Sequence, residues 1–221
     1  MELKPNHTEF QEEITKRGIK HLIHFTPTIN LLSIFEQGRL LSRALLEENN
    51  IDDTLLDYIE FLDSIRYDDK HYINLSLSFP NHYLFQRFRD RTQSRPYINW
   101  CVLKINTQYI MKEDTLFAVT NAASNIAKRV YGISGDIHKF KKLFENGLFT
   151  NFGVLQRRNL SLKYPTDVQA EVLVKNEIDF SDIIEVCFKD ELDLANCKAA
   201  LKDYNTENFI VDSKLFNNNR I

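Results

Sequence analysis

Glycine, proline and cysteine are all scarce in this chain of 221 residues, which holds six glycines, five prolines and three cysteines. It has neither a P-loop nor the glycine fingerprint of dinucleotide-binding folds, and it has no Gly-x-Ser-x-Gly elbow. Cys101, Cys187 and Cys197 lack the spacing of zinc ligands, and their odd number favours buried thiols in a reducing compartment. We therefore expect neither a metal site nor a disulfide framework.

Long apolar runs and a strong charge of one sign are also absent. No run approaches the roughly 20 residues that cross a bilayer, and residues 1–10 are polar, unlike a signal peptide. The net charge of −3 argues against a uniformly basic nucleic-acid binder but leaves local basic patches open. We expect a cytoplasmic protein without a membrane segment, folded as one domain over residues 1–221, because its apolar fraction of 43% supports a sizeable core.

What is present is a mixture of short strands and helices, which predicts an α+β domain. The pattern predicts strands at 21–26, 72–78, 100–105, 116–119, 171–174, 183–188 and 209–211, with an edge segment at 40–42. It predicts helices at 8–17, 31–38, 44–66, 82–91, 121–131, 136–145 and 191–201. Residues 147–167 show little periodicity and are expected to form a long loop, and such loops in compact domains are often functional.

This loop leads into an apolar strand that opens at Glu171, shortly after Gln169. Alternate residues of a strand point to the same face, so we expect both side chains to project into one cleft. A carboxylate beside a carboxamide can orient a sugar hydroxyl or stabilise a developing cation. The alternative is an ordinary strand whose exposed face carries a glutamine and a glutamate.

Other polar residues could complete such a cleft. His24 ends a strand just before a helix N-terminus, which favours an anionic group, and Thr26 follows it. Ser76 and Ser78 alternate on a strand that leads to Asn81, and could line a polar cleft opposite the glutamate. The alternatives are a satisfied histidine of the core or the sheet edge, and a solvated sheet face.

Two segments are locally basic. Residues 86–95 carry four arginines, and Arg157 and Arg158 lie in the long loop. Arginines interleaved with aromatic rings suit phosphates and stacked bases, whereas the alternative is a solvated, charged helix face. The candidate stacking rings are Phe88, Phe152 and Tyr164.

Three blocks of the chain, taken in order, resemble the DarT-type nucleic-acid ADP-ribosyltransferases, a branch of the NAD-dependent ADP-ribosyltransferase superfamily. The blocks are His24-Phe25-Thr26 with Asn30 and Gly38, then residues 73–81, then residues 167–174. The resemblance implies an ADP-ribosyltransferase-like α+β fold of two facing, split β-sheets with flanking helices. It implies that NAD, as co-substrate, lies in the cleft between the sheets and that no metal takes part.

The resemblance also assigns roles to residues. It implies that Glu171 is the catalytic glutamate, and that an arginine near NAD and the acceptor base is Arg66, with Arg43 as second candidate. The loop before the glutamate, at about 152–170, would recognise the acceptor, and Gln-x-Glu is associated in the superfamily with acceptors other than arginine side chains, including guanine bases. The implied NAD-pocket residues are His24, Phe25, Thr26, Asn30, Gly38, Arg43 and Ser78. The implied acceptor-binding residues are Gln169, Arg157, Arg158 and Tyr164.

The implied reaction transfers ADP-ribose from NAD to a base in single-stranded DNA and releases nicotinamide. Because such an enzyme would poison its own cell, we expect a toxin with a partner antitoxin, and a role in phage defence is compatible. Three alternatives stay open: RNA as the acceptor, a protein side chain as the acceptor, and a non-catalytic binding module that has kept the fold.

Overall fold

The computed structural model describes residues 1–49, 69–95, 98–217 and 220. In these residues the helices are α1 (His7–Arg17), α2 (Asn30–Gln37), α3 (Arg43–Glu48), α4 (His82–Thr92), α5 (Ile137–Lys142) and α6 (Glu191–Ala200). The strands are β1 (Leu22–Pro27), β2 (Arg39–Leu41), β3 (Tyr72–Leu77), β4 (Trp100–Ile105), β5 (Leu116–Ala118), β6 (Leu148–Thr150), β7 (Gly153–Leu155), β8 (Glu171–Lys175), β9 (Glu177–Asp179), β10 (Ile183–Phe188) and β11 (Phe209–Val211). Short 3-10 turns cover Thr107–Ile110, Phe180–Asp182 and Ser213–Phe216, and a π-helix covers Ile126–Tyr131.

A seven-stranded sheet organises the described residues, in the order β11-β10-β4-β1-β3-β8-β5. Strand β1 pairs with β4 along its whole length, but it pairs with β3 only through Leu22↔Leu77 and Ile23↔Ser76. The sheet therefore splits beyond Ile23 into two halves, β11-β10-β4-β1 and β3-β8-β5. The expected α+β class with a split sheet is observed, and the two halves stay joined at one end.

Alternation along β1 explains why the sheet is covered on both faces. Leu22 belongs to the main apolar cluster, whereas Ile23 and Phe25 belong to a second cluster on the opposite face. In that second cluster the ring of Phe25 lies 4.6 Å from the ring of Phe85 in α4, measured between centroids. Alternate residues of β1 thus pack against the two faces of the sheet, and this packing fixes the strand that forms one edge of the split.

Helix ends follow the sequence signals closely. Gly18 and Gly38 end α1 and α2 with φ angles of +67° and +64°, a region that favours glycine. Asp136 caps α5 by accepting a hydrogen bond from the backbone N–H of Lys139, and Asp190 likewise caps α6. Within the part of the chain that the structure describes, no helix combines the length and apolar character needed to cross a membrane.

Three predictions of secondary structure need correction. The expected loop at 147–167 contains the hairpin β6–β7, whose strands are only three residues long and therefore too short to leave a clear period in the sequence. The helix predicted at 121–131 is a π-helix confined to Ile126–Tyr131. The helix predicted at 44–66 is described only as α3, since residues 50–68 lie outside the described residues.

Candidate active site

Glu171 is the first residue of β8, and only 7% of it is exposed. Strand β8 is held between β3 and β5, which fixes the position of its first residue. Oε1 of Glu171 accepts a hydrogen bond from Nδ2 of Asn74 at 3.2 Å, and Oε2 accepts one from the backbone N–H of Ala122 at 2.7 Å. With a donor on each oxygen, the carboxylate is presented in one orientation.

His24 lies at the split between β1 and β3. Its Nδ1 is 3.1 Å from the carbonyl oxygen of Asn74, and because a carbonyl can only accept, Nδ1 carries the proton. The imidazole thus satisfies a carbonyl at a point where β1 and β3 no longer pair. Asn74 connects the two predicted residues, since its carbonyl accepts from His24 and its side chain donates to Glu171.

A narrow cleft opens at this point, and it brings together residues that are distant in sequence. It is lined by Ile23, His24, Phe25, Asn74, Leu75, Ser76, Asn81, Leu84 and Glu171. His24, Phe25 and Glu171, each predicted as a site residue, therefore share one cleft. Ser76 accepts a hydrogen bond from the backbone N–H of Asn81 at 3.2 Å, which fixes the corner between β3 and α4.

Several buried polar atoms of the predicted pocket segments have no hydrogen-bond partner among the described residues. They are Oδ1 of Asn30, Oγ of Ser78 and Nδ2 of Asn81. Asn30 is held in place because its Nδ2 donates to Oγ1 of Thr26 at 2.8 Å. An unpaired buried polar group costs about 1–3 kcal/mol, so these atoms suit a ligand that carries amide and hydroxyl groups.

Ser78 differs from its predicted place. Strand β3 ends at Leu77, and Ser78 has a φ of +60°, which is unfavourable for a residue with a Cβ. The prediction that Ser76 and Ser78 alternate on one strand face is therefore wrong, because the backbone turns between them. A strained, buried and unpaired side chain at a strand end is nevertheless a feature that active sites share.

Gln169 also lies outside the strand. It sits in a turn closed by the backbone N–H of Ala170 on the carbonyl of Asp167, and β8 begins only at Glu171. The argument that strand alternation aligns Gln169 with Glu171 is therefore wrong. Burial raises the pKa of Asp167, whose Oδ1 accepts from the backbone N–H of Gln169.

Arg157 has an internal role in the loop before β8. Its guanidinium donates to the carbonyls of Tyr164 and Ser161 and to Oγ1 of Thr166, at 2.9, 3.1 and 3.0 Å. Burial lowers its pKa. The neighbouring Arg158 is exposed, so of the predicted pair only Arg158 offers its charge to solvent without first giving up these contacts.

The remaining predicted residues lie apart from the cleft lining. Gly38 ends α2, and Arg43 forms an ion pair with Glu47 at 3.0 Å in α3. Tyr164 packs its ring edge against Phe79, with centroids 6.2 Å apart. The predicted catalytic residue Arg66 falls outside the described residues. The suggestion that Phe88 stacks on a base is wrong, since Phe88 is 4% exposed and belongs to the core.

Two residues of the site were missed. Asn74 alternates with Ser76 on β3, so the same polar period-two pattern that drew attention to the serines could have found it. Ala122 acts through its backbone N–H, for which a side-chain pattern offers no signal. Among the residues that the structure describes, no group of three or more His, Cys, Asp or Glu side chains is placed to hold a metal ion.

Comparison with known proteins gives one family and a set of similar structures. The sequence model of the family described as "ssDNA thymidine ADP-ribosyltransferase, DarT" matches residues 23–216. A structure of Thermosipho africanus DarTG in complex with ADP-ribose is 20% identical with a TM-score of 0.56, over 89% of this chain and 51% of that chain. The present chain thus spans about half the length of that relative. A search of the curated proteins finds no match.

Two further similar structures come from Thermus sp. 2.9 DarT. The complex with NAD+ is 13% identical with a TM-score of 0.60, over 90% of this chain and 98% of that chain. The complex with ADP-ribosylated ssDNA is 11% identical with a TM-score of 0.55, over 90% and 97%. At these identities the likeness concerns the fold alone, whereas the family model over residues 23–216 confirms the expected ADP-ribosyltransferase-like class.

Proposed function

This chain belongs to the DarT family of ssDNA thymidine ADP-ribosyltransferases, and from that premise we propose that it transfers ADP-ribose from NAD to thymidine in single-stranded DNA. The family that the resemblance suggested is confirmed. The sequence left the acceptor base open, and the family points to thymidine. The observation that carries the proposal is the buried carboxylate of Glu171, fixed by Asn74 and Ala122 on a cleft that also holds His24.

The fixed carboxylate suits the first half of the reaction. When the bond between nicotinamide and ribose breaks, its electron pair leaves with nicotinamide and the ribose acquires oxocarbenium character. A preoriented negative charge in a water-poor cleft stabilises that cation without needing to reorganise. Glu171 meets this requirement, because both its oxygens are already held by donors.

The acceptor must then supply an electron pair. In thymidine, one ring nitrogen is bonded to the sugar and the other carries a proton that base pairing uses. That nitrogen is accessible only when the base is unpaired, which agrees with a single-stranded substrate. Its proton must leave as the new bond to ribose forms, and the Glu171 carboxylate is the group we assign to accept it.

NAD fits the pocket segments of this chain. It offers a carboxamide and ribose hydroxyls, and the unpaired atoms of Asn30, Ser78 and Asn81 comprise an amide oxygen, a hydroxyl and an amide N–H₂. We assign His24, Thr26 and these residues to the NAD pocket, with Phe25 as a packed wall of the cleft. For Gly38 and Arg43, a role in that pocket stays a prediction.

A panel of oligonucleotides incubated with NAD tests the proposal. We expect a mass increase of one ADP-ribosyl group on thymidine-containing single strands and none on the same sequence in a duplex. Transfer only to RNA would make RNA the acceptor. Label that appears only on protein, and that survives nuclease treatment, would make a protein side chain the acceptor. No transfer and no NAD binding would leave a non-catalytic module that has kept the fold.

The remaining expectations are proposals of the same kind. We place the protein in the cytoplasm, which the buried, free cysteines Cys101, Cys187 and Cys197 support. One domain over residues 1–221 is supported by a main core that draws on both Phe10 and Phe209. A toxin role with a partner antitoxin is proposed because unrestrained modification of DNA would harm the cell, and phage defence is compatible with it.

A further inference from the structure

Helix α4 presents one face that carries an aromatic ring and two positive charges. Tyr83, Arg87 and Arg91 recur every four residues, so they lie along the same side of the helix. Tyr83 is 60% exposed although its ring is large and apolar. Beside these residues runs a groove of about 720 Å³ lined by His82, Tyr83, Gln86, Arg87, Asp90 and Arg91.

A second exposed ring joins this face from another part of the chain. Phe152 lies in the turn of the β6–β7 hairpin, is 75% exposed, and stacks on Tyr83 with centroids 6.2 Å apart and planes inclined by 26°. Both rings nevertheless remain largely exposed to water. We call Tyr83, Phe152, Arg87 and Arg91 together the α4 platform.

The α4 platform is continuous with the catalytic cleft. Asn81, which lines the cleft, is also the N-cap of α4, and its Oδ1 accepts from the backbone N–H of Leu84. Leu84 lines the cleft as well, so the exposed Tyr83 lies in sequence between two residues of the cleft wall. Arg220 donates to the carbonyls of Pro165 and Thr166, in the loop that leads to Glu171.

Charge on this surface favours an anionic partner. Arg87 is exposed and Arg91 half-exposed, and the positive charge of Arg220 contributes to a lowered pKa of His82, for which burial is the larger cause. Among the described residues that line the groove, the acid is Asp90, which accepts a hydrogen bond from Gln86 at 2.5 Å. Exposed stacked rings beside arginines match the bases and phosphates of a single strand.

We propose that the α4 platform binds the single-stranded DNA that flanks the modified thymidine, an inference that rests on the proposed function. Bases next to the target stack on Tyr83 and Phe152, while Arg87 and Arg91 contact phosphates. The stretch from Tyr83 to Arg91 measures about 12 Å at ~1.5 Å per residue, enough for roughly three to four stacked nucleotides at ~3.4 Å each. The cleft thus holds the reacting base and the α4 platform holds its neighbours.

The test measures binding of labelled thymidine-containing single strands of about 4 and about 16 nucleotides by fluorescence anisotropy, a length range over which single-strand sites vary. Wild-type protein should bind the longer strand more tightly. The double variant Tyr83→Ala with Phe152→Ala should bind it roughly tenfold more weakly, the loss expected for a stacked base. The affinity for NAD, measured by isothermal titration calorimetry, should be the same in this variant and in wild type, since neither ring lines the cleft.

The charged half of the α4 platform has its own measurement. For Arg87→Gln with Arg91→Gln, the slope of log affinity against log salt should fall by about 1.4, because each phosphate contact to a single strand contributes about 0.7. The control is the double variant Lys198→Gln with Lys202→Gln, which removes the same charge from exposed positions at and beyond the end of α6. The salt slope of this control should equal that of wild type. Tyr83→Phe should bind like wild type because the ring is retained.

The outcomes separate this inference from the proposed function. If wild-type protein transfers ADP-ribose to no DNA, the proposed function is contradicted. The anisotropy measurements of DNA binding then still test the α4 platform. Equal binding by wild type and both double variants, or wild-type binding that does not depend on length, overturns the inference. Tighter binding of an RNA of the same sequence, lost in the same variants, overturns the assignment to DNA.

Discussion

At the scale of single residues, Asn74 links two groups of the proposed active-site cleft. Its side chain donates to Glu171, and its carbonyl accepts from His24, so one residue orients groups from two strands. The carboxylate could be predicted from the sequence because it stands at the mouth of an apolar strand. Of the two donors that orient it, Asn74 falls within the polar alternation of β3 and was open to prediction, whereas Ala122 was not, because it acts through its backbone N–H.

The variant Asn74→Ala tests this positioning role. Removing a hydrogen bond to a charged acceptor should lower the rate of transfer by roughly ten- to a hundredfold, mainly through kcat, with KM for NAD little changed. Asn74→Asp, which keeps the shape but places a second negative charge beside Glu171, should be impaired at least as strongly. Full kcat in both variants would show that Glu171 is oriented by other groups.

His21 gives the protein a pH-dependent stability. Burial lowers its pKa to about 4 from 6.5, with a further lowering from the nearby Lys104, while Lys163 acts in the same direction and Glu185 and Asp212 oppose it. Because the folded pKa is depressed, the contribution of His21 is present above about pH 6.5 and is lost as the pH falls towards 4.

Replacing His21 by glutamine should therefore flatten the acid side of the stability profile. Between about pH 7 and about pH 4, urea unfolding should show wild type losing about 1–2 kcal/mol more stability than His21→Gln. Acidic groups titrate in both proteins, so the difference between them isolates the histidine. Identical losses would mean that His21 is equally solvated in the folded and unfolded chains.

Among elements, strand ends and loops were harder to predict than strands. β4 and β10 are apolar runs whose places follow from the residues alone. The end of β3 does not follow from the residues alone. Ser78 continues the alternation of polar and apolar residues in the sequence, yet the backbone leaves the strand there with a positive φ. The β6–β7 hairpin was missed because its three-residue strands expose Phe149 and Val154 and bury too little surface to show a pattern.

The end of β3 stores strain that a variant can release. Ser78→Gly should raise the free energy of unfolding by about 0.5–1 kcal/mol, since relief of the left-handed backbone exceeds the extra flexibility of glycine in the unfolded chain. The same variant should bind NAD more weakly if the buried hydroxyl is a ligand. The control Ser78→Ala also removes the hydroxyl but keeps the left-handed backbone strained, so it should weaken NAD binding equally and be about 0.5–1 kcal/mol less stable than Ser78→Gly. Unaltered NAD affinity in both variants would remove Ser78 from the pocket.

The loop before β8 distinguishes two neighbouring arginines. Arg157→Gln should destabilise the protein by about 2–3 kcal/mol and lower transfer, because three hydrogen bonds that hold the loop are lost. Arg158→Gln should change stability by less than about 0.5 kcal/mol, as expected for an exposed side chain. Thermal melts of both variants decide this, and equal melting temperatures would contradict the assigned role of Arg157.

The whole molecule is arranged around the split in its central sheet. One end of β1 is tied to β3 by two residue pairs, and beyond them His24 and Asn74 face the cleft that Glu171 closes. The resemblance to a family indicated which segments of the sequence meet here. Local sequence patterns alone do not predict a gap between two strands. The family match over residues 23–216 supports the proposal that this gap is the active site.

Mass spectrometry of a thymidine-containing single strand after reaction with NAD, comparing wild type with Glu171→Gln, tests the central claim most directly. Glutamine keeps the shape and can still accept from the N–H of Ala122, so the variant should fold, whereas alanine would leave that buried donor unpaired. We predict one added ADP-ribosyl group per modified thymidine with wild type and a rate at least about a hundredfold lower with Glu171→Gln. Equal modification by both proteins would contradict the assignment of this cleft as the active site.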